Sequence, residues 1–388
     1  MVTVAPDREF ILNVLQRLVR INSINPALDA RAPGETQIVV YLKEILEELG
    51  LETTVHEFVP ERPSITGRLA GSGGGRSLML NAHLDTVGVA GMHDPFSGDL
   101  REGRIYGRGS YDMKGALAAC LGAAKVLRDT GTPLAGDVIV AGVADEEYGS
   151  LGTAGLLRVC PVDGAIVTEP TALRTCLAHK GYVWLRVVTH GRGAHGSRFE
   201  DGIDANLMMG RILYELSALE QSLRTGPCHP LVGPASIHAP LLEGGTGIST
   251  YADRCVLQIE RRTIPGETLA AIEAQISEVV ERAGAGQTGF RATIETFFVR
   301  EPFEVDPTAD VVRAVDEASR KHLSQTHPHI GDTPWMDAAL LAAGGVETVV
   351  IGPAGAGAHA AEEWVDVDSV VTLAAILADA AIEYCGVE

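Results

Sequence analysis

Basic residues are scarce in this chain. Its 388 residues include 31 Lys plus Arg against 51 Asp plus Glu, a net charge of −20, and so acidic a surface argues against a polyanion such as nucleic acid as partner. Long apolar runs are missing as well. Between residues 1 and 25, Asp7, Arg8, Glu9, Arg17 and Arg20 interrupt what would have to be the hydrophobic stretch of a secretion signal. No run elsewhere is long enough to cross a bilayer, so the expectation is a cytoplasmic protein without a membrane partner. The cysteines Cys120, Cys160, Cys176, Cys228, Cys255 and Cys385 form no C-x-x-C pair and lie mostly in apolar surroundings, which predicts buried free thiols. What is present is ordinary for a soluble globular protein, 46% hydrophobic and 21% charged, and the length exceeds one compact core, which predicts two domains.

The apolar residues Phe10, Leu12, Val14, Leu15, Leu18 and Val19 recur at helical spacing, and a second helix is expected from Thr36 to about Leu49, closed by Gly50. Leu78-Met79-Leu80, Asp137 to Ala141, Ala165 to Val167 and Thr348 to Ile351 are short continuous apolar runs of the kind that form strands buried on both faces. A helix is expected from Met113 to Leu127. Strands alternating with helices predict an α/β fold, a mostly parallel sheet with helices on both faces, in which ligands bind beyond the carboxyl ends of the strands. From about His179 to Glu295 the order becomes β-α-β-β-α-β, that of a ferredoxin-like α+β domain. The expected division is therefore 1–178 with 296–388 as one domain and 179–295 as an inserted second one.

The polar residues just past those strands carry the chemistry. His83 and Asp85 offer an imidazole that can bind a metal and a carboxylate that can orient it, although a His and an Asp two apart also occur by chance. Glu146-Glu147 is more informative, because neighbours on an extended backbone point to opposite sides, so that one can ligate while the other reaches a water. Taken alone the pair would be a solvated acidic turn, Glu169 a loop carboxylate, and Asp112 a helix N-cap. His359 follows Gly355-Ala356-Gly357-Ala358, where small residues let a substrate come close. Together they make a mixed nitrogen and oxygen set suited to zinc, with cobalt or manganese also accommodated. The set is too large for one ion. Two cations held roughly 3.5–4 Å apart repel, and a shared anionic ligand lowers that cost, the role expected of Asp112. His93, His179, His190, His229, His238 and His322 are assigned no carboxylate partner at this stage.

The stretches around these residues carry a resemblance. His83-Leu84-Asp85-Thr86-Val87, Gly107-Arg108-Gly109 leading to Asp112-Met113-Lys114-Gly115, Glu146-Glu147, Thr168-Glu169-Pro170 and Ala358-His359-Ala360 resemble the di-zinc aminoacylase and carboxypeptidase family that includes acetylornithine deacetylase and succinyl-diaminopimelate desuccinylase. The likeness extends over nearly the whole chain. It implies one metal on His83, Asp112 and Glu169 and a second on Asp112, Glu147 and His359, with Glu146 as general base and Asp85 behind the histidine. It also implies a cis peptide between Asp112 and Met113. The inserted domain resembles the family's lid and dimerisation domain: Gly193-Ala194-His195-Gly196-Ser197 matches a segment whose histidine steadies the oxyanion in a partner's site, and Arg262 matches an arginine that holds a substrate carboxylate. Ser249-Thr250-Tyr251-Ala252 departs from the asparagine-bearing stretch of many relatives, and Glu169 stands where some have Asp.

These readings predict a metal-dependent hydrolase with two Zn2+ per chain. Its reaction would be deacylation of an N-acyl amino acid by a metal-bridging hydroxide, with Glu146 as general base and a homodimer formed through the inserted domain. A dipeptidase or carboxypeptidase acting on a short peptide is the alternative, and an inactive metal-binding dimer the remoter one.

Overall fold

The computed structural model describes residues 5–325 and 327–388; the first four residues of the N-terminal stretch considered above lie outside the described residues. The chain divides into two compact units, one made of Met1–Leu177, Val305–Ile330 and Met336–Glu388, the other of Ala178–Glu304 and Gly331–Trp335.

In the first unit the strands run in the spatial order Glu52–Glu57, Pro63–Leu69, Val138–Val143, Leu78–His83, Gly164–Val167, Glu347–Val350, with Cys176 pairing beyond the last. The four from Val138–Val143 to Glu347–Val350 are parallel, while the hairpin at the edge is antiparallel. Leu78–His83, Val138–Val143 and Gly164–Val167 are buried at every residue, because runs without polar alternation need cover on both faces. Helices Arg8–Arg20, Gly115–Asp129, Asp310–His322 and Val367–Cys385 pack on one another on one side, and Thr36–Glu48, Leu151–Val159 and Ala338–Ala343 cover the other. Among the described residues no helix is long and apolar enough to cross a membrane.

A small antiparallel sheet of Gly355–Ala356, Trp364–Asp366, Arg104–Tyr106 and Asp99–Arg101, absent from the sequence reading, ties the loop carrying His359 to the one leading into Asp112. Two further expectations are corrected here. The helix after Asp112 starts at Gly115, because Ser110–Lys114 forms a wider turn whose Asp112 (φ −118°, ψ 91°) is not helical. Glu146 and Glu147 belong to a turn, not to an extended strand, since Asp145 adopts φ 72° and its carbonyl accepts from Gly149 N.

The second unit has the strands Gly181–His190, Ser236–Gly244, Arg254–Thr263 and Ala292–Arg300 and the helices Ala205–Thr225 and Leu269–Gly284. Ser236–Gly244 pairs Arg254–Thr263, which pairs Gly181–His190, which pairs Ala292–Arg300, all antiparallel. This is the ferredoxin-like arrangement. Alternation along Arg254–Thr263 buries Cys255, Leu257 and Ile259 against Met209, Ile212, Ile272 and Ile276 of the two helices and leaves the other face to polar and aromatic side chains. All six cysteines are free thiols, but Cys228 is exposed and Cys160 only partly covered, so burial holds for the other four.

Candidate metal centre and catalytic site

Four parallel strands end at one rim of the first unit, and the sequence places an acid or an imidazole just past each. His83 is the last residue of its strand, Glu146 and Glu147 follow Val143, Glu169 follows Val167, and His359 lies in the loop after Val350. Asp112 is brought to the same rim by the wide turn. Gly109 begins that turn with φ 78°, where an added Cβ would lie 2.7 Å from Thr86 Cγ2.

The two oxygens of Asp112 face different histidines. Oδ1 lies 3.0 Å from His83 Nε2, and Oδ2 lies 3.3 Å from His359 Nε2. His83 Nε2 is also 3.7 Å from Glu169 Oε1, and His359 Nε2 is 3.1 Å from Glu147 Oε2. Ligand atoms of His83, Asp112 and Glu147 all lie within 4.8 Å of one another, as do those of His83, Glu146 and Glu169. Five expected donors and Glu146 therefore converge, although Glu146 joins the second group as closely as any donor does.

The electrostatics describe a site short of positive charge. Burial raises the carboxyls of Glu146 and Glu169 well above the usual carboxylate range, and Glu147 is raised as well, by burial and then by the Asp112 charge. Asp112 goes the other way: burial opposes ionisation, but hydrogen bonds from His359 and His83 hold its carboxyl below the ordinary value. His359 is pushed up to about 10 by its bonds to Asp112 and Glu147. Buried His83 is raised too, the Glu169 charge and the Asp112 bond outweighing desolvation. Protons on the imidazoles here do what divalent cations would do better, since a cation neutralises several carboxylates at once. The donor set of two imidazoles and three carboxylates, one of them aimed two ways, fits a pair of zinc-like ions.

Asp85 is fixed differently from expectation. His83 Nδ1 is 2.9 Å from the backbone carbonyl of Asp85 and 3.8 Å from its Oδ1. The carboxylate instead accepts the backbone N–H groups of Glu146 and Glu147, each at 3.1 Å. Behind Asp112 stands Glu363, to which the sequence reading gave no role. Its Oε1 accepts from Tyr111 N (2.9 Å) and Asp112 N (3.1 Å), and its Oε2 from Gly109 N (3.1 Å) and Arg108 Nη1 (2.6 Å). Arg108 also donates to the carbonyls of Gly88 and Ala360, joining the loops on either side.

His195 and Arg262 belong to the second unit. His195 lies exposed in a turn where its Nδ1 is 3.3 Å from Ser197 N and 2.8 Å from Ser197 Oγ. Arg262 Nε donates to Glu260 Oε1 at 2.6 Å and its guanidinium lies 4.9 Å from the Tyr182 ring centre. Four histidines left without carboxylate partners do have them: His93 with Asp94 (2.9 Å), His229 with Glu304 (2.9 Å), His238 with Glu260 (3.9 Å) and His322 with Asp379 (2.7 Å). Three of those partners are distant in sequence, where local patterns carry no signal.

The sequence model of Peptidase family M20/M25/M40 matches residues 79–383. Acetylornithine deacetylase from Proteus mirabilis (strain HI4320) is 29% identical over 367 residues, 92% of each chain. N-formyl-4-amino-5-aminomethyl-2-methylpyrimidine deformylase from Bacillus subtilis (strain 168) is 27% identical over 425 residues, covering 98% of this chain and 96% of that one. Among solved structures, aminopeptidase PepT from Bacillus cereus ATCC 10987 superimposes with a TM-score of 0.81 at 19% identity, over 98% of this chain and 100% of the other.

Proposed function

Because this chain belongs to peptidase family M20/M25/M40, a family of hydrolases, we propose that it cleaves an amide bond next to a carboxylate and removes the acyl group of an N-acyl amino acid. The observation that carries this reading is the pair of Asp112 oxygens directed at His83 and His359, with Glu146 beside them. Two relatives named for removing an acetyl and a formyl group support the acyl side of the reading.

His83, Asp112 and Glu169 would hold one divalent cation, and Asp112, Glu147 and His359 the other, with zinc as the ion best suited to the donors. Such a pair supplies Lewis acidity to the scissile carbonyl and lowers the pKa of a water. Glu146 is the proton carrier. As a carboxylate beside the proposed ligands, it accepts the proton of the attacking water and passes it to the departing amine, which has to leave neutral. Asp85 keeps Glu146 and Glu147 in register through their backbone N–H groups. Glu363 does the same for Asp112.

From the second unit, Arg262 would hold the substrate carboxylate, with Glu260 fixing its Nε. His195, exposed in its turn, would donate to the tetrahedral oxyanion of a partner subunit's site in a homodimer formed through that unit. The test is hydrolysis of a panel of N-acetyl, N-formyl and N-succinyl amino acids and of dipeptides by zinc-loaded protein, read as amine release. Release from N-acyl amino acids is expected. Cleavage of dipeptides alone would move the assignment to a dipeptidase, and no release from any member by protein holding two ions would overturn it.

A further inference from the structure

Behind Asp85, away from the proposed ligands, lies a buried polar cluster whose members Asn25, Glu35, Arg62 and Asp145 have no part in the mechanism above. Asn25, Glu35, Asp85 and Asp145 are all at most 1% exposed, and the Arg62 side chain is only 10% exposed. Asn25 Nδ2 donates to Asp85 Oδ2 at 2.7 Å and to Asp145 Oδ1 at 3.0 Å. Arg62 Nη2 donates to that same Asp145 oxygen at 2.9 Å and to Asn25 Oδ1 at 3.3 Å, while its Nε and Nη2 form a fork on Glu35 at 2.8 and 2.7 Å. Asn25 is itself locked from behind, its N–H donating to Thr86 O and its Oδ1 accepting from Ala27 N, each at 2.9 Å.

Two of the three acids of this cluster govern one turn. Asp85 accepts the N–H groups of Glu146 and Glu147, and Asp145 is the residue whose left-handed backbone (φ 72°) begins the turn that carries them. Three carboxylates brought this close would separate unless a cation and a neutral donor stood between them; Arg62 is the cation and the Asn25 amide the donor. We propose that Asn25 and Arg62 are positioning residues for the Glu146–Glu147 turn. They clamp Asp85 to Asp145, so that the base and a neighbouring ligand are aimed before substrate arrives. This inference rests on the hydrolase reading for its kinetic consequence, and on geometry alone for the clamp.

Asn25→Ala removes the donor while leaving every proposed ligand intact, and Arg62→Lys keeps the charge but loses the fork. In folded, metal-loaded protein each should lower kcat by about 10- to 100-fold, the usual cost of removing an outer partner of a ligand, with KM changed less than about 3-fold. The visible absorption bands of the cobalt-substituted variants should shift, because the Glu147 carboxylate is no longer held at one angle. A purely structural cluster would lower the melting temperature and the folded fraction, yet the folded molecules would keep the original kcat and cobalt spectrum; that result in either variant overturns the proposal. If Asn25→Ala does not fold, Arg62→Lys carries the same two readouts. Should the unaltered protein hydrolyse no substrate, the functional reading fails by itself, and an unchanged cobalt spectrum in the variants would then decide against the clamp.

Discussion

Glu363 and Asp112 are 251 residues apart in the chain, yet the backbone N–H of Asp112 donates to Glu363 Oε1 at 3.1 Å. The same carboxylate neutralises buried Arg108. Replacing Glu363 by Ala should therefore do two things. Stability should fall by about 3–5 kcal/mol, because the Arg108 guanidinium is left buried without its partner. Zinc affinity should fall by about 10- to 100-fold as the Asp112 turn loosens. Denaturant titration and chelator competition measure the two effects separately, and wild-type values in both would remove Glu363 from the account of the site.

Metal content gives the second prediction. Active protein should hold two ions per chain, lose activity on chelation and regain it with zinc or cobalt. Elemental analysis finding at most one ion in fully active protein would contradict a shared role for the two Asp112 oxygens.

Glu146→Gln should preserve fold and metal content while lowering kcat by about 10²–10⁴, the range expected when a general base is lost. An unchanged rate would mean that another group takes the proton.

Without metal, stability should depend on pH in a direction set by His359. Its folded pKa of about 10 lies above the ordinary histidine value of 6.5, so the folded state binds its proton more tightly than the unfolded chain does. That contribution is fully present below about 6.5 and disappears as pH rises to about 10. Thermal melts of chelated protein should thus move downward across this window, whereas zinc-loaded protein, whose ligands must be deprotonated, should not follow them. Parallel curves for the two forms would contradict this assignment of His359.

His195→Ala and Glu146→Gln proteins, each nearly inactive, should regain activity when mixed and allowed to exchange subunits, because one site of the mixed dimer then has both native groups. Loss of one oxyanion donor should cost about 2.7–4 kcal/mol in the transition state. Absence of recovery after verified exchange would restrict His195 to its own chain or to no role.

The residues that converge at the rim could be singled out in the sequence because each sits next to a local signal, an apolar strand before His83, Glu147 and Glu169 or a glycine turn before Asp112 and His359. The ferredoxin-like order was legible for the same reason, its strands and helices being long enough to show their periods. The supports were not. Asn25, Arg62, Arg108 and Glu363 act through partners distant in sequence, and a lone Arg or Glu on a loop looks the same whether it meets solvent or a buried carboxylate. Strands of two or three residues, such as Gly355–Ala356 and Trp364–Asp366, are too short to carry a period. The Glu146–Glu147 turn was misread because an extended backbone was assumed to continue past Val143, whereas Asp145 takes up a left-handed conformation that its side-chain bonds to Asn25 and Arg62 support.

The longer segment of the second unit, Ala178–Glu304, begins and ends on paired residues: Phe303, near its exit, lies opposite His179, near its entry. Paired strands hold such residues roughly 5 Å apart, so that segment leaves and rejoins the chain path as closely as a tight hairpin would. The loop entropy that separates Leu177 from Val305 in the unfolded chain is consequently met inside the insertion, by its own closing ladder. A segment closed in this way can lengthen, shorten or be exchanged while the rim that gathers His83, Asp112, Glu147, Glu169 and His359 keeps its connections.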